Sequence, residues 1–271
     1  MVNIDVVEDG VVRFVMARRL LGKKLYRSAC YLVDGLLVDS GIPLLHKSFV
    51  KSLSGRRITA IVNTHAHEDH IGANAILQES RGVPVFAHEK ALPVLSNPRK
   101  LSLLPYQRIF FGEPSPSAGM PVGDSVLTER HRFRVIPSPG HSPDHIALYE
   151  ESRGWLFSGD AFIGGQDRVL REGFDVRGIT KSLRMLSSLG AEVMFTGMGN
   201  VIRQPARQID RKISYFDEIS GRIRKMREEG VEPSEIARRL FPGDLPVRLV
   251  TSGNFSAAHL VQAFLRAGDK E

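Results

Sequence analysis

From position 64 the chain reads Thr64-His65-Ala66-His67-Glu68-Asp69-His70-Ile71-Gly72, with three imidazoles and carboxylate inside six consecutive positions. Imidazole nitrogen and carboxylate oxygen are ligands that Zn²⁺ and Fe²⁺ favour, and a cluster this dense is not ordinary surface. The preceding run, Arg57-Ile58-Thr59-Ala60-Ile61-Val62-Asn63, is apolar and β-branched and predicts a buried strand. The following run, Ile71-Gly72-Ala73-Asn74-Ala75-Ile76-Leu77, predicts a helix start. The cluster then falls where a strand ends and a helix begins, the place where open α/β sheets collect ligands. This stretch constrains the chain to an α/β arrangement with a metal site at a strand end.

Three further predicted strand ends carry groups able to bind metal. Strands expected at 11–15, 29–33 and 36–38 lead to Asp39-Ser40-Gly41. A hairpin expected over 125–127 and 133–137 runs into Pro139-Gly140-His141-Ser142-Pro143-Asp144-His145. Strands at 146–149 and 155–157 follow, the second ending in Ser158-Gly159-Asp160. Between these, Leu45, Phe49 and Leu53 at four-residue spacing predict a helix, and 83–87 a strand. A helix near 180–189 leads to a strand at 192–196 and the loop Gly197-Met198-Gly199-Asn200. The segment 97–120 has apolar residues without clean periodicity and reads equally as a substrate-covering flap or a packed surface loop. From Pro205 the chain is expected to be mostly helical, with Ile209, Ile213, Phe216, Ile223 and Met226 as a core-facing stripe, and short helices at 234–241 and 256–267. The order of elements points to sheets sandwiched between helices. A single domain over 1–271 is expected, with a core sandwich at 1–202 and a helical extension at 203–271 packed on it.

Composition narrows the partners. No basic segment followed by an apolar run opens the chain, and charges interrupt every apolar run before it reaches membrane-spanning length. The one cysteine, Cys30, has no internal disulfide partner, so a reducing cytoplasmic compartment is expected. The net charge of +7 concentrates between Arg13 and Arg27 and between Arg203 and Arg239. The second group is interleaved with acids and describes a solvated helix face. No nucleic-acid module accompanies the charge, so a small-molecule substrate is expected, with neither nucleic acid nor membrane as partner. Oligomeric state stays open.

The order Asp39, His65-x-His67-x-Asp69-His70, His141 in a Pro-Gly-His turn and Asp160 in Ser-Gly-Asp resembles the metallo-β-lactamase superfamily, from Val11 to the final helix. The resemblance implies an αββα sandwich of two mixed β-sheets flanked by helices, with the metal site at one edge. It implies one metal on His65, His67 and His141, a second on Asp69 and His70, and Asp160 bridging both. Asp39 would support the ligand loop through hydrogen bonds. One departure matters. Members with two metals usually carry a histidine in the turn after the last sheet strand, where this chain has Met198, and a thioether is a poor Zn²⁺ ligand. The second site would be weakened, unless Asn200, His145 or His88 compensates; His145 also reads as structural and Met198 as a packing residue. His259 is placed on the flank of a helix, and His46 and His131 on the surface.

The implied chemistry is metal-assisted hydrolysis, with one or two Zn²⁺, and Fe or Mn as alternatives. A bound Zn²⁺ lowers the pKa of its water to about 7, and Asp69 would orient that water or accept its proton. A weak second metal would favour thioesters, activated esters and lactones. Two alternatives stay open at this point. His65, His141 and Asp160 form a two-histidine, one-carboxylate set suited to a mononuclear iron dioxygenase acting on a thiol or persulfide. The positive charge leaves room for a phosphodiesterase.

Overall fold

Runs rich in β-branched and aromatic residues pair into two mixed sheets. The computed structural model describes residues 1–20 and 23–268. The first sheet contains β1 (Val2–Glu8), β2 (Val11–Leu20), β3 (Lys23–Val33), β4 (Leu36–Val38), β5 (Ala60–Val62), β6 (Val85–Ala87) and β7 (Gly119–Pro121), in that spatial order. Strands β1 to β4 pair antiparallel and β4 to β7 parallel. The second sheet contains β8 (Ser125–Leu127), β9 (Arg132–Pro137), β10 (Ile146–Glu150) and β11 (Trp155–Gly159), with β13 (Val193–Thr196) and β14 (Val201–Arg203) beyond β11. A separate ribbon pairs β12 (Leu170–Arg171) with β15 (Phe255–Ser256).

Alternation along each strand sorts side chains into three apolar layers. Tyr31, Val33 and Val38 meet Phe133, Phe157 and Phe195 between the sheets. Phe157 and Phe195 stack there with centroids 4.7 Å apart, and burying each ring contributes about 2–3 kcal/mol. The opposite face of the first sheet, with Phe14, Cys30 and Leu37, packs on α1 (His46–Ser52), α2 (Asn74–Arg81) and α3 (Leu92–Ser96) through Phe49, Leu77 and Leu95. A short helix, α4 (Pro105–Phe110), follows. The outer face of the second sheet, with Ile136, Leu156 and Met194, packs on α5 (Val176–Ser187), α6 (Ala206–Glu228) and α7 (Pro233–Leu240). After α8 (Leu245–Val250), α9 (Ala257–Gly268) adds Leu260 and Phe264 to that layer. The result is the αββα sandwich with a helical C-terminal region. Among the described residues no helix is long and apolar enough to cross a membrane.

Several elements depart from the pattern. The edge strand β1 is mostly exposed and carries no burial signal. The expected strands at 11–15 and 29–33 extend into a long hairpin, β2–β3, whose residues 21–22 lie outside the described residues, so the basic run from Arg13 to Arg27 is described only on either side of them. In that run Arg13 ion-pairs with Asp5, and Arg27 donates to Asn200 Oδ1 at 2.7 Å. The strand expected over 57–63 narrows to β5, with Arg56 and Arg57 exposed before it. The irregular 97–120 segment supplies α4 and reaches β7.

Candidate metal centre

Five strand ends meet along one edge of the sandwich. Asp39 follows β4, residues 63–70 follow β5, residues 138–145 join β9 to β10, Asp160 follows β11 and Gly197 follows β13. Backbone bonds hold these loops in register: Ile146 N–H donates to the Thr64 carbonyl and Gly197 N–H to the Gly159 carbonyl, each at 2.8 Å. Asp144 Oδ2 accepts the Ala66 N–H at 2.8 Å, which ties the loop of His65 and His67 to that of His141. Two glycines are required by space. A Cβ at Gly197 would lie 2.1 Å from Asp160 Oδ1, and one at Gly159, where φ is +47°, would lie 2.7 Å from Thr64 Oγ1.

His65, His67 and His141 converge. His67 Nδ1 lies 3.0 Å from His65 Nε2 and 2.9 Å from His141 Nε2. Thr64 fixes one tautomer: its hydroxyl donates to Asp39 Oδ2 at 2.9 Å, so its oxygen accepts the Nδ1–H of His65 at 3.1 Å. His65 Nε2 is thereby left as a lone pair aimed at the other two rings. Burial, then the neighbouring imidazoles, hold His65, His67 and His141 well below the ordinary histidine value. The neutral ring is the form that binds a metal. Nitrogens about 2.0–2.1 Å from one zinc stand roughly 3.3 Å apart in a tetrahedron, close to the spacing here.

A second group lies beside the first. His70 donates Nδ1–H to Asp39 Oδ2 at 2.8 Å, which leaves its Nε2 3.4 Å from Asp69 Oδ2 and 3.6 Å from Asp160 Oδ1. The other Asp160 oxygen lies 3.6 Å from His141 Nε2, so this carboxylate spans both groups. Burial disfavours charge on His70, but Asp69, Asp39 and Asp160 outweigh it and push its pKa well above the ordinary value. Asp39, at φ +60°, accepts from Thr64 N–H at 2.7 Å as well as from Thr64 Oγ1 and His70.

Unpaired polar atoms test whether a metal fits. Among the described residues, five buried side-chain atoms have no hydrogen-bond partner: Glu68 Oε2, Asp69 Oδ2, His70 Nε2, Ser142 Oγ and Asp160 Oδ1. Asp69 Oδ2, His70 Nε2 and Asp160 Oδ1 belong to the second donor group, and Glu68 and Ser142 are chain neighbours of His67 and His141. Leaving such an atom unpaired costs about 1–3 kcal/mol, and a divalent cation among the His70, Asp69 and Asp160 atoms would remove the cost. The donor chemistry fits the group.

Other histidines of the pattern are committed elsewhere. His145 Nε2 accepts the Asp160 N–H at 3.1 Å, and its Nδ1–H donates to Ser138 Oγ at 2.8 Å; burial lowers its pKa to about 4. His88 Nδ1 accepts the Lys90 N–H at 3.1 Å, and His259 Nδ1 bonds the Asn254 carbonyl at the same distance. His131, expected on the surface, is largely covered, with Nδ1 3.2 Å from Glu150 and its ring against Trp155. Met198 is half-buried in the turn after β13, and Asn200 takes the Arg27 bond already described.

Several neighbours of the centre leave no pattern in the sequence. Tyr26 is close enough to feel Asp69, and burial, then the charges of Asp69 and Asp160, push its phenol pKa well up. Gln107 Nε2 donates to Glu68 Oε1 at 2.7 Å, and Tyr106 O–H to Asn254 Oδ1 at 3.0 Å, so α4 bridges the ligand loop and the C-terminal part. The Phe174 ring packs 4.6 Å from that of His141, and Arg171 Nη1 lies 3.5 Å from His67 Nε2. Asp144 alone had a readable sign, an aspartate after proline in a turn.

Comparison with known proteins bears on the fold and the family. The chain is 34% identical over 139 residues to a hydroxyacylglutathione hydrolase of Gloeobacter violaceus, covering 51% of this chain and 48% of the relative, about half its length. It is 24% identical over 205 residues to the probable metallo-hydrolase YflN of Bacillus subtilis (strain 168), covering 60% and 75% of the two chains. The crystal structure of a metallo-beta-lactamase family protein from Thermus thermophilus superposes with a TM-score of 0.69 at 19% identity, covering 97% of this chain and 95% of that one. The family model for the metallo-beta-lactamase superfamily matches residues 25–197, a span that runs through every strand end gathered at the centre, and the chain belongs to that superfamily.

Proposed function

We propose that the chain is a metal-dependent hydrolase acting on a thioester, ester or lactone. In this reading His65, His67 and His141 hold one divalent metal, and Asp69, His70 and Asp160 offer a second, weaker position. The observation that carries it is the concentration of unpaired buried donors and acceptors beside three neutral imidazoles. Zinc suits this mixture of nitrogen and carboxylate donors. When bound, a divalent metal supplies acidified water and electrophilic stabilisation of a developing oxyanion.

The remaining work falls to side chains. Asp69, with Oδ2 free of other partners, orients the attacking water and takes up its proton. Asp160 holds the two donor groups at a fixed separation through its two oxygens. Asp39 and Thr64 lock the rings of His70 and His65 in the tautomers that expose Nε2. Phe174, against His67 and His141, keeps water from that side. With Met198 in the turn after β13, the second position has three protein donors, so leaving groups receive less electrophilic help. Substrates with good leaving groups are then favoured, and the name of the Gloeobacter relative supports placing thioesters first.

Elemental analysis of the isolated protein, paired with thioester and ester hydrolysis before and after chelation, tests the reading. About one zinc per chain is expected, with hydrolysis lost on chelation and restored by Zn²⁺. Protein without bound transition metal, or hydrolysis indifferent to chelation, overturns it. One observation favours a second reading: His65 and Asp160 of the expected iron set group with His70 in place of His141, two imidazoles and a carboxylate with donor atoms within 4.8 Å of one another, a set suited to mononuclear Fe²⁺. Iron in the isolated protein, with oxygen uptake on a thiol or persulfide, would establish a dioxygenase instead.

A further inference from the structure

Arg171 is a cation that the donor groups do not need. Its Nη1 lies 3.5 Å from His67 Nε2, on the side of the ring turned away from His65 and His141. Its charge opposes protonation of His67 and His141 and favours the ionised forms of Tyr106 and Glu68. Among the described residues no carboxylate forms an ion pair with it. The other cation felt at His141, Lys212, is already paired with Asp167 at 2.9 Å. A guanidinium beside the ligand of a dication is repelled by it, and an anion bound to the guanidinium offsets that repulsion.

The position of Arg171 is built from both directions. In the β12–β15 ribbon it stands opposite Phe255, with Leu170 and Ser256 buried beneath. The next residue, Glu172, donates its N–H to the Asn254 carbonyl at 3.0 Å, and the Asn254 side chain is in turn held by Tyr106. Phe174 lies between, with ring centroids 4.6 Å from His141 and 6.4 Å from Phe255. One guanidinium thus projects from an aromatic wall toward the rim of the donor cluster.

We propose that Arg171 sets substrate specificity by binding a carboxylate on the acyl portion of the substrate, so that anionic acyl esters and thioesters are preferred over neutral ones. The inference rests on the hydrolase reading for its substrate class. A guanidinium meets a carboxylate through two parallel N–H donors. One guanidinium balances one monoanion, whereas a phosphate dianion calls for a second cation.

The test compares p-nitrophenyl butyrate with mono-p-nitrophenyl glutarate, which adds a terminal carboxylate, on zinc-loaded wild type, Arg171→Met and Arg171→Lys. Arg171→Met should lower kcat/KM for the glutarate ester about tenfold to a hundredfold more than for the butyrate ester, mainly through KM. Arg171→Lys, which keeps the charge and loses the fork, should retain part of the preference, with a selective loss of about threefold or more. Equal losses on the two esters in both variants overturn the proposal; if Arg171→Met does not fold, Arg171→Lys decides alone. Calorimetric binding of glutarate to the same proteins should weaken by the same factors, and unchanged affinity also overturns it. Should neither ester be hydrolysed by wild type, the ester part of the hydrolase reading fails, and the glutarate affinities still decide the role of Arg171.

Discussion

The two donor groups lie side by side and are made of opposite materials. His65, His67 and His141 are three imidazoles kept neutral by burial, with nitrogens closing to 2.9 and 3.0 Å. Asp69, His70 and Asp160 set two carboxylates around one imidazole whose pKa they raise, at wider spacings of 3.4 and 3.6 Å. The first group needs no counter-charge before a cation arrives. The second holds negative charge that a proton or a metal must offset. In the two-position reading proposed above, the difference teaches that the positions need not fill together: imidazole alone sets affinity in one, and charge balance in the other.

The sharpest way to break this contrast is His141→Ala. It should remove bound zinc and lower thioester hydrolysis by more than the roughly hundredfold that outer partners of a metal site cost. Elemental analysis checks it, and a variant that keeps its zinc would show the carboxylate group to be the stronger holder. The next effect is on acid stability of the metal-free protein. His145, near pKa 4 when folded, is held below the unfolded value of about 6.5. The unfolded chain therefore takes up that proton first as pH falls. The contribution is complete above about pH 6.5 and is lost toward pH 4, where the loss amounts to about 3 kcal/mol. Urea unfolding of wild type and His145→Gln should diverge by that much across this window; parallel curves would free His145 to join the donors.

Asp39→Asn sharpens the contrast from behind. It should weaken zinc binding about tenfold to a hundredfold, read by competition with a chelator. The carboxylate group should suffer more, because Asp39 touches His70 directly and His65 only through Thr64. The smallest effect is expected for Met198→His, which should raise occupancy toward two metals per chain and change the rate by about tenfold or less. A second metal bound tightly with no change in rate or substrate range would sink the idea that this turn limits the chemistry.

The centre was legible where its chemistry is local. Six consecutive residues declare His65, His67, Asp69 and His70, and Asp39, His141 and Asp160 each follow a run that reads as a strand. His145 shows the limit. It shares a turn with His141, and only its bonds to Ser138 and the Asp160 N–H separate the two. Arg171 and Phe174 cannot be singled out within the irregular segment 163–177, because a long-range pairing places them: β12 is a strand only by virtue of β15. Strand β1 was missed because an exposed edge carries no apolar alternation. His131 was misplaced because Glu150 and Trp155, which cover it, come from neighbouring strands.

The ribbon of Leu170–Arg171 with Phe255–Ser256 separates inheritance of reactivity from inheritance of taste. Donor residues ride on the ends of deep strands, where any shift disturbs the whole sandwich. The wall beside them hangs from the two short segments of a separate ribbon, one of which comes from the C-terminal part of the chain. In the hydrolase reading proposed above, a change in that ribbon would alter which acyl groups are accepted while leaving the donor residues in place.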